Sequence, residues 1–230
     1  MSGLSPQAPS EVPALTDAPY PGRDCPICPR LVAFRQRNRE AEPGWHNAPV
    51  PSFGPQGAPQ SARLLVVGLA PGLKGANRTG RPFTGDYAGD LLYATLGKFG
   101  FAEGEYGRSP DDGFRLIDCR ITNAVRCVPP ENKPTPAEIA GCRPFLAAEI
   151  ASLPRLVAVL ALGAIAHGSL LAALGERLSR RPFKHGVLHE LDGGLILADS
   201  YHCSRYNTNT GRLTVAMFES VIAALRERLG

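Results

Sequence analysis

Residues 63–72 read RLLVVGLAPG. A short apolar run ends in a glycine-bearing loop. Runs of this length without polar alternation mark a strand buried on both faces, as in a parallel sheet. The pattern recurs. RLIDCRITNAVRC (115–127), LVAVLALG (156–163) and LILADSYH (195–202) each contain such a run. Helical segments follow them: GDLLYATLGKFG (89–100) with a glycine stop, TPAEIAGCRPFLAAEIASL (135–153), AIAHGSLLAALG (164–175) and TVAMFESVIAALRERL (214–229). The second opens as a capping box, with Thr135 as N-cap, Pro136 at the first helical position and Glu138 at the third. Strands alternating with helices predict an α/β domain, a mostly parallel sheet covered on both faces. Ligands of such sheets bind beyond the carboxyl ends of the strands. GLAPG (68–72), TNAVRC (122–127), LGAIAH (162–167) and SYHCSRYN (200–207) are therefore expected around one cleft.

Composition narrows the class. The chain has 230 residues, 43% apolar and 20% charged, with a net charge of +4, ordinary for a globular protein. Only Lys74, Lys98, Lys133 and Lys184 among the 25 basic residues are lysines, and arginine suits bidentate phosphate contacts. The charge permits a nucleic-acid partner without requiring one. Residues 1–22, rich in Pro, Ala and Ser, read as a flexible tail. No basic segment followed by an apolar one opens the chain. Leu156–Gly175 approaches the length of a membrane span, but Gly163, His167, Gly168 and Ser169 interrupt it, and a strand running into a helix explains it better. A cytosolic protein with no membrane partner is expected.

Cys25 and Cys28 form CPIC, and Cys127 and Cys142 lie far downstream. Cytosolic chains seldom hold disulfides. A close thiolate pair plus two distant ones suits a four-thiolate centre, either zinc or an iron–sulfur cluster, and spacing alone does not choose between them. Cys119 reads as core packing. Cys203 beside His202 raises a nucleophilic Cys/His pair, disfavoured because adjacent strand-end residues point opposite ways.

The loop Gly68–Asp90 fits neither nucleotide signature: no GK[ST] is present, and Gly68, Gly72 and Gly75 are misspaced for GxGxxG. Its glycines instead allow backbone to approach a ligand. Phe83 can stack on a planar ligand or pack in the core. Asp86 and Asp90 fall on one helix face, one a helix N-terminal charge and the other a site carboxylate. SYHCSRYNTNTGRLT (200–214) carries His202, Arg205, Tyr206, Asn207 and Arg212, more than a turn requires.

Together GLAPG (68–72), GANRTGRPFTGD (75–86), ITNAVRC (121–127), HCSRYNTNTGRLT (202–214) and the four cysteines resemble the uracil-DNA glycosylase superfamily, in particular its family 5, the iron–sulfur type-B enzymes of bacteria and archaea. The resemblance spans residues 23–230, taken as a single domain. It implies a three-layer α/β/α fold around a four-stranded parallel sheet, and a [4Fe–4S] cluster on Cys25, Cys28, Cys127 and Cys142. It implies hydrolytic removal of uracil, and of hypoxanthine and xanthine, from double-stranded DNA, with single strands also open, by a monomer associated with the nucleoid. Carried over by position, Gly68, Leu69, Ala70 and Gly72 border the base, Phe83 stacks on it, Asn123 faces its edge and His202 contacts its leaving oxygen. Ser204, Arg205, Tyr206, Asn207 and Arg212 form the segment that enters and grips DNA. Family 4 carries glutamate at the place of Leu69, and family 1 an aspartate at that of Ala70. Neither residue here can activate water, so the resemblance leaves that role to Asp86. Two rivals follow from the same residues: a damaged-DNA binding module without catalysis, and an iron–sulfur electron carrier.

Overall fold

The computed structural model describes residues 20–56 and 59–230. Most of the expected N-terminal tail, residues 1–19, lies outside them. In chain order the elements are α1 (Pro29–Ala41), β1 (Leu64–Gly68), α2 (Ala76–Thr79), α3 (Tyr87–Lys98), β2 (Ala102–Glu103), β3 (Arg115–Leu116), β4 (Cys119–Asn123), α4 (Pro136–Ala151), β5 (Ala158–Leu162), α5 (Ala164–Ala173), β6 (Leu188–Glu190), β7 (Ile196–Ser200), α6 (Arg205–Asn209) and α7 (Val215–Leu229). The main sheet has the order β4-β1-β5-β7-β6. Its first four strands are parallel, as the sequence pattern requires.

The fifth strand corrects the four-stranded expectation. β6 pairs antiparallel with β7, through a turn in which Gly193 and Gly194 both take positive φ. Asp192-Gly193-Gly194 is a hairpin signal sitting between two apolar stretches. A second small sheet joins β2 and β3.

Every residue of β1 and β5 is buried, which explains their unbroken apolar runs. Successive side chains point to opposite faces. Leu64 and Val66 pack with Leu92, Leu96, Phe218 and Ile222 of α3 and α7. Leu65 and Val67 pack with Leu146 and Leu170 of α4 and α5. Leu156–Gly175 divides into β5 and α5, and no described helix is long and apolar enough to cross a membrane. The capping box of α4 forms as read, with Thr135 Oγ1 accepting from Glu138 N at 3.3 Å and Glu138 Oε2 from Thr135 N at 2.8 Å.

Two buried charge networks brace the sheet. Glu149 of α4 receives Arg120 at 2.7 Å and Arg126, and Arg126 also reaches Ser52 Oγ at 2.7 Å. Burial alone would raise the Glu149 carboxyl, but the two guanidiniums hold it below its ordinary range. Nearer the β7 edge, His167 Nδ1 donates to Asp199 Oδ1 and its Nε2 to the Arg181 carbonyl, both at 2.7 Å. A carbonyl only accepts, so Nε2 carries a proton, and an ionised Asp199 favours a second proton on Nδ1. Burial opposes that charge, yet Asp199 raises the His167 pKa. His189 Nε2 and the Lys184 amide complete the shell of Asp199 Oδ2 at 3.1 Å each.

Removing one partner of a buried ion group leaves charge unpaired, which costs about 3–5 kcal/mol. Glu149→Ala should lose stability on that scale in denaturant unfolding, and a loss below about 1 kcal/mol would show the guanidiniums to be otherwise satisfied. The His167 pair gives the opposite pH sense from an ordinary carboxylate. Its folded pKa is raised, so its contribution is complete below the unfolded imidazole value of about 6.5 and drains as pH climbs through the folded value. Unfolding free energy measured between about pH 6 and 9 should fall with pH in the parent and flatten in His167→Gln.

Candidate active site

A cleft of about 660 Å³ opens where β1, β4 and β7 end. Gly68 closes β1 and stands in register with Asn123, the last residue of β4. A Cβ on Gly68 would lie 2.4 Å from Asn123 Oδ1 and 2.6 Å from Phe83 Cζ. Only glycine lets the carboxamide and the ring close together over the strand end. Asn123 and Phe83 are 3% and 6% exposed, so both form the deep part of the cleft. Phe83 has φ +53°, a backbone setting uncommon for an aromatic residue. Its carbonyl accepts from Tyr106 Oη at 3.0 Å and fills the space that a Cβ on Gly89 would need. The ring lies along His202, centroids 5.9 Å apart and planes at 29°.

Asp86 occupies both positions that the sequence divided between two aspartates. It is the N-cap of α3, accepting from Gly89 N at 3.3 Å, and it lines the cleft. The glycine loop wraps it: a Cβ on Gly75 would fall 2.4 Å from Asp86 Oδ2, and one on Gly72 at 3.3 Å. Burial raises its carboxyl above the ordinary range, against the Gly89 and Ala88 amides. Asp90 instead pairs with Arg108 at 2.8 and 2.7 Å, outside the cleft. Leu69 and Ala70 line the cleft. Asp86 is the one acid on its wall among the described residues.

His202 leaves β7 into the cleft. Its Nδ1 is buried with no partner among the described residues, and burial pushes its pKa down to about 4. The imidazole is therefore neutral near pH 7, with a nitrogen unspent. Asn207 Nδ2 fixes its carbonyl at 2.8 Å. Ser204 caps α6, accepting from Asn207 N at 3.4 Å. Ser204 and Arg205 line the cleft, with Arg205 over the Tyr87 ring at 5.2 Å. Tyr206 stands 70% exposed outside it. Asn207 and Arg212 line a neighbouring cleft of about 420 Å³, reached across His202, where Arg212 stacks over Tyr201 at 4.7 Å. Cys203 is buried, and burial pushes its thiol up to about 12, so it is no nucleophile. Cys119 is core, as read.

Cys25, Cys28, Cys127 and Cys142 surround one small void. Arg126 N points at Cys142 Sγ at 3.4 Å and Arg35 Nη1 at Cys127 Sγ at 3.7 Å. Burial and neighbouring sulfurs push the Cys28 and Cys127 thiols up to about 11 and about 12. Sequence reasoning missed Arg35, buried on α1; Tyr106, which braces Phe83; and Asn132, which lines the cleft from the PPENKP loop. Only the last had a local signal, a cluster of turn residues.

The family model of the Uracil DNA glycosylase superfamily matches residues 55–226. The type-5 uracil-DNA glycosylase of Thermus thermophilus is 46% identical over 212 residues, covering 90% of this chain and 94% of that one. The Mycobacterium leprae type-5 enzyme is 41% identical over 214 residues, covering 90% and 92%. A type-4 enzyme of Pyrobaculum aerophilum matches 51% of this chain at 35% identity. With the type-5 relatives matched along nearly their whole length, the chain belongs to the uracil-DNA glycosylase superfamily, in its type-5 family.

Proposed function

We propose that the protein hydrolyses the N-glycosidic bond of uracil in DNA, with hypoxanthine and xanthine as further substrates. The observation that carries the reading is the convergence of Phe83, Asp86, Asn123 and His202, from the ends of three strands, on one cleft in a chain of this family. A base in a duplex must be turned out before its glycosidic bond can be reached. Tyr206, exposed beside the cleft, is suited to fill the gap, and Arg205 and Arg212 to hold phosphates.

The turned-out base stacks on Phe83. Asn123 donates its NH₂ to O4 of uracil and accepts N3–H. Cytosine reverses both groups and leaves unpaired polar atoms, at about 1–3 kcal/mol each. Hypoxanthine and xanthine present the same oxygen and N–H pattern on a larger ring, and the cleft volume supports their entry. Cleavage breaks the C1′–N bond, with the electron pair leaving on the base. Water adds its oxygen to C1′ and gives its proton to Asp86. Neutral His202 donates its ring N–H to the base oxygen where negative charge gathers.

The four cysteines fit an iron–sulfur cluster better than zinc. Among the described residues, the one set of His, Cys, Asp or Glu ligand atoms within 4.8 Å of one another is His167, His189 and Asp199. Three of the cysteine sulfurs are therefore never that close, whereas Zn–S bonds of about 2.3 Å hold sulfurs roughly 3.8 Å apart. The N–H groups aimed at Cys127 and Cys142 suit cluster sulfurs. A bound cluster would supply a cross-link between α1, the segment after β4 and α4, and no reaction step.

Duplexes carrying uracil, hypoxanthine or xanthine should yield alkali-labile abasic sites, and absence of all three activities would sink the reading. Asp86→Asn should lower the rate by roughly 10²–10³-fold, while Asp90→Asn stays near the parent; the reverse result would move the role to Asp90. The rate should fall with acidity through the raised Asp86 pKa, and no limb near the ordinary imidazole value should come from His202. Metal analysis of anaerobically purified protein should find about four irons per chain; stoichiometric zinc would rule the cluster out.

A further inference from the structure

We propose that Lys74 and Asn132 form a second anchor for the DNA strand, holding a phosphodiester on the wall of the cleft opposite α6. The inference rests on the reading above, that the cleft takes a strand with one nucleotide turned out.

Sheet order places the two residues. Lys74 follows β1 and Asn132 follows β4, the edge strand beside β1, whereas Ser204 and Arg205 follow β7, beyond β5. All four line the same cleft. Lys74 and Asn132 thus stand on the β4 side and α6 on the β7 side. Both are exposed, unlike the buried Asn123 and Phe83 between the walls. An exposed carboxamide and an exposed ammonium lining one cleft suit the backbone of a bound strand rather than the edge of a base, and Lys and Asn are common phosphate contacts. The neighbouring acid, Glu131, is 3.4 Å from Lys133, which offsets its repulsion.

The loop that carries Asn132 is built to hold one shape. Glu131 and Asn132 take φ +56° and +57° in succession. Such settings persist in non-glycine residues where the surroundings over-determine them, and they cluster at functional sites. Here the surroundings are identifiable. Arg30 of α1 donates to the Lys133 carbonyl at 3.0 Å and grips Glu138 at 2.8 and 2.7 Å, and Glu138 is the same residue that caps α4. Asn132 N donates to Pro129 O and Lys133 N to Pro130 O, both at 3.1 Å. A connection that merely joined β4 to α4 would not need this hold. A rim that presents a carboxamide does, because a group ordered beforehand loses less freedom on binding.

The test uses the full chain as purified and a duplex bearing a tetrahydrofuran abasic-site analogue, with affinity measured across a salt series. Lys74→Ala should weaken binding several-fold and shallow the slope of log affinity against log salt by about one, the signature of one lost phosphate contact. Lys74→Arg should keep the slope. Asn132→Gly should weaken binding while its melting temperature stays at or above that of the parent, since glycine accepts φ +57° freely. A structural role alone would move both the same way. Parental affinity and slope in Lys74→Ala, or an Asn132→Gly loss that only follows a lower melting temperature, overturns the proposal. A parent that removes no uracil and binds the lesion no better than intact duplex fails the functional reading itself.

Discussion

The parallel ladder between β1 and β4 fixes the positions of both the cleft and the cysteine site. Its register pairs Gly68 with Asn123, and it runs on past the strands, with Ala124 N on Gly68 O at 2.9 Å and Val125 N on Leu69 O at 3.0 Å. The chain is thereby led directly to Arg126, whose side chain finds Glu149 and whose amide points at Cys142 Sγ. One register sets a carboxamide in the cleft and a thiol behind it. A slip of one residue would turn every side chain of β4 to the other face, driving Arg120 into the apolar cluster that holds Ile121 and breaking its pair with Glu149. The absent side chain of Gly68 belongs to the same constraint, because any Cβ there collides with Asn123 and Phe83.

Rigid walls around the cleft come from charge placed inside the protein. Arg81 is buried, pairs with Asp112 at 2.8 and 2.7 Å, and lies over the rings of Phe53, Tyr93 and Tyr106 at 5.0, 5.7 and 5.8 Å. Its Nε donates to Thr84 Oγ1 at 2.7 Å, and Tyr106 Oη receives Gly85 N at 3.3 Å. The turn that gives Phe83 its positive φ is thus gripped on both sides. Single guanidiniums with several partners repay their desolvation only when all are in place.

Legibility in the sequence followed the range of the interaction. β1, β5 and the capping box of α4 were readable because their causes are local: apolar runs, and Thr135 three residues before Glu138. The cysteine set was readable from spacing and residue type. β6 was missed because a three-residue edge strand carries little pattern of its own. α1 was missed because only Leu31 and Arg35 of its thirteen residues are buried, leaving no apolar stripe. Arg126 looked like one more basic residue, since Glu149 lies 23 positions away. Residue type and spacing did not separate the two aspartates and only the resemblance chose Asp86, because the Arg108 that holds Asp90 outside the cleft lies 18 positions beyond it.

One physical cause sets the Asp86 carboxyl and the His202 imidazole of the cleft. Burial penalises charge, so it lifts the Asp86 carboxyl and drops the His202 imidazole. Had the two met, they would have formed an ion pair and quenched each other. The glycine loop holds the carboxylate, and the Phe83 ring lies against the imidazole instead. His202 is left neutral with a buried nitrogen that meets no partner among the described residues. In the proposed reaction the base oxygen meets the imidazole from the cleft that His202 lines. The hydrogen bond made there then strengthens as charge develops on the departing base, where it lowers the barrier rather than merely tightening the complex.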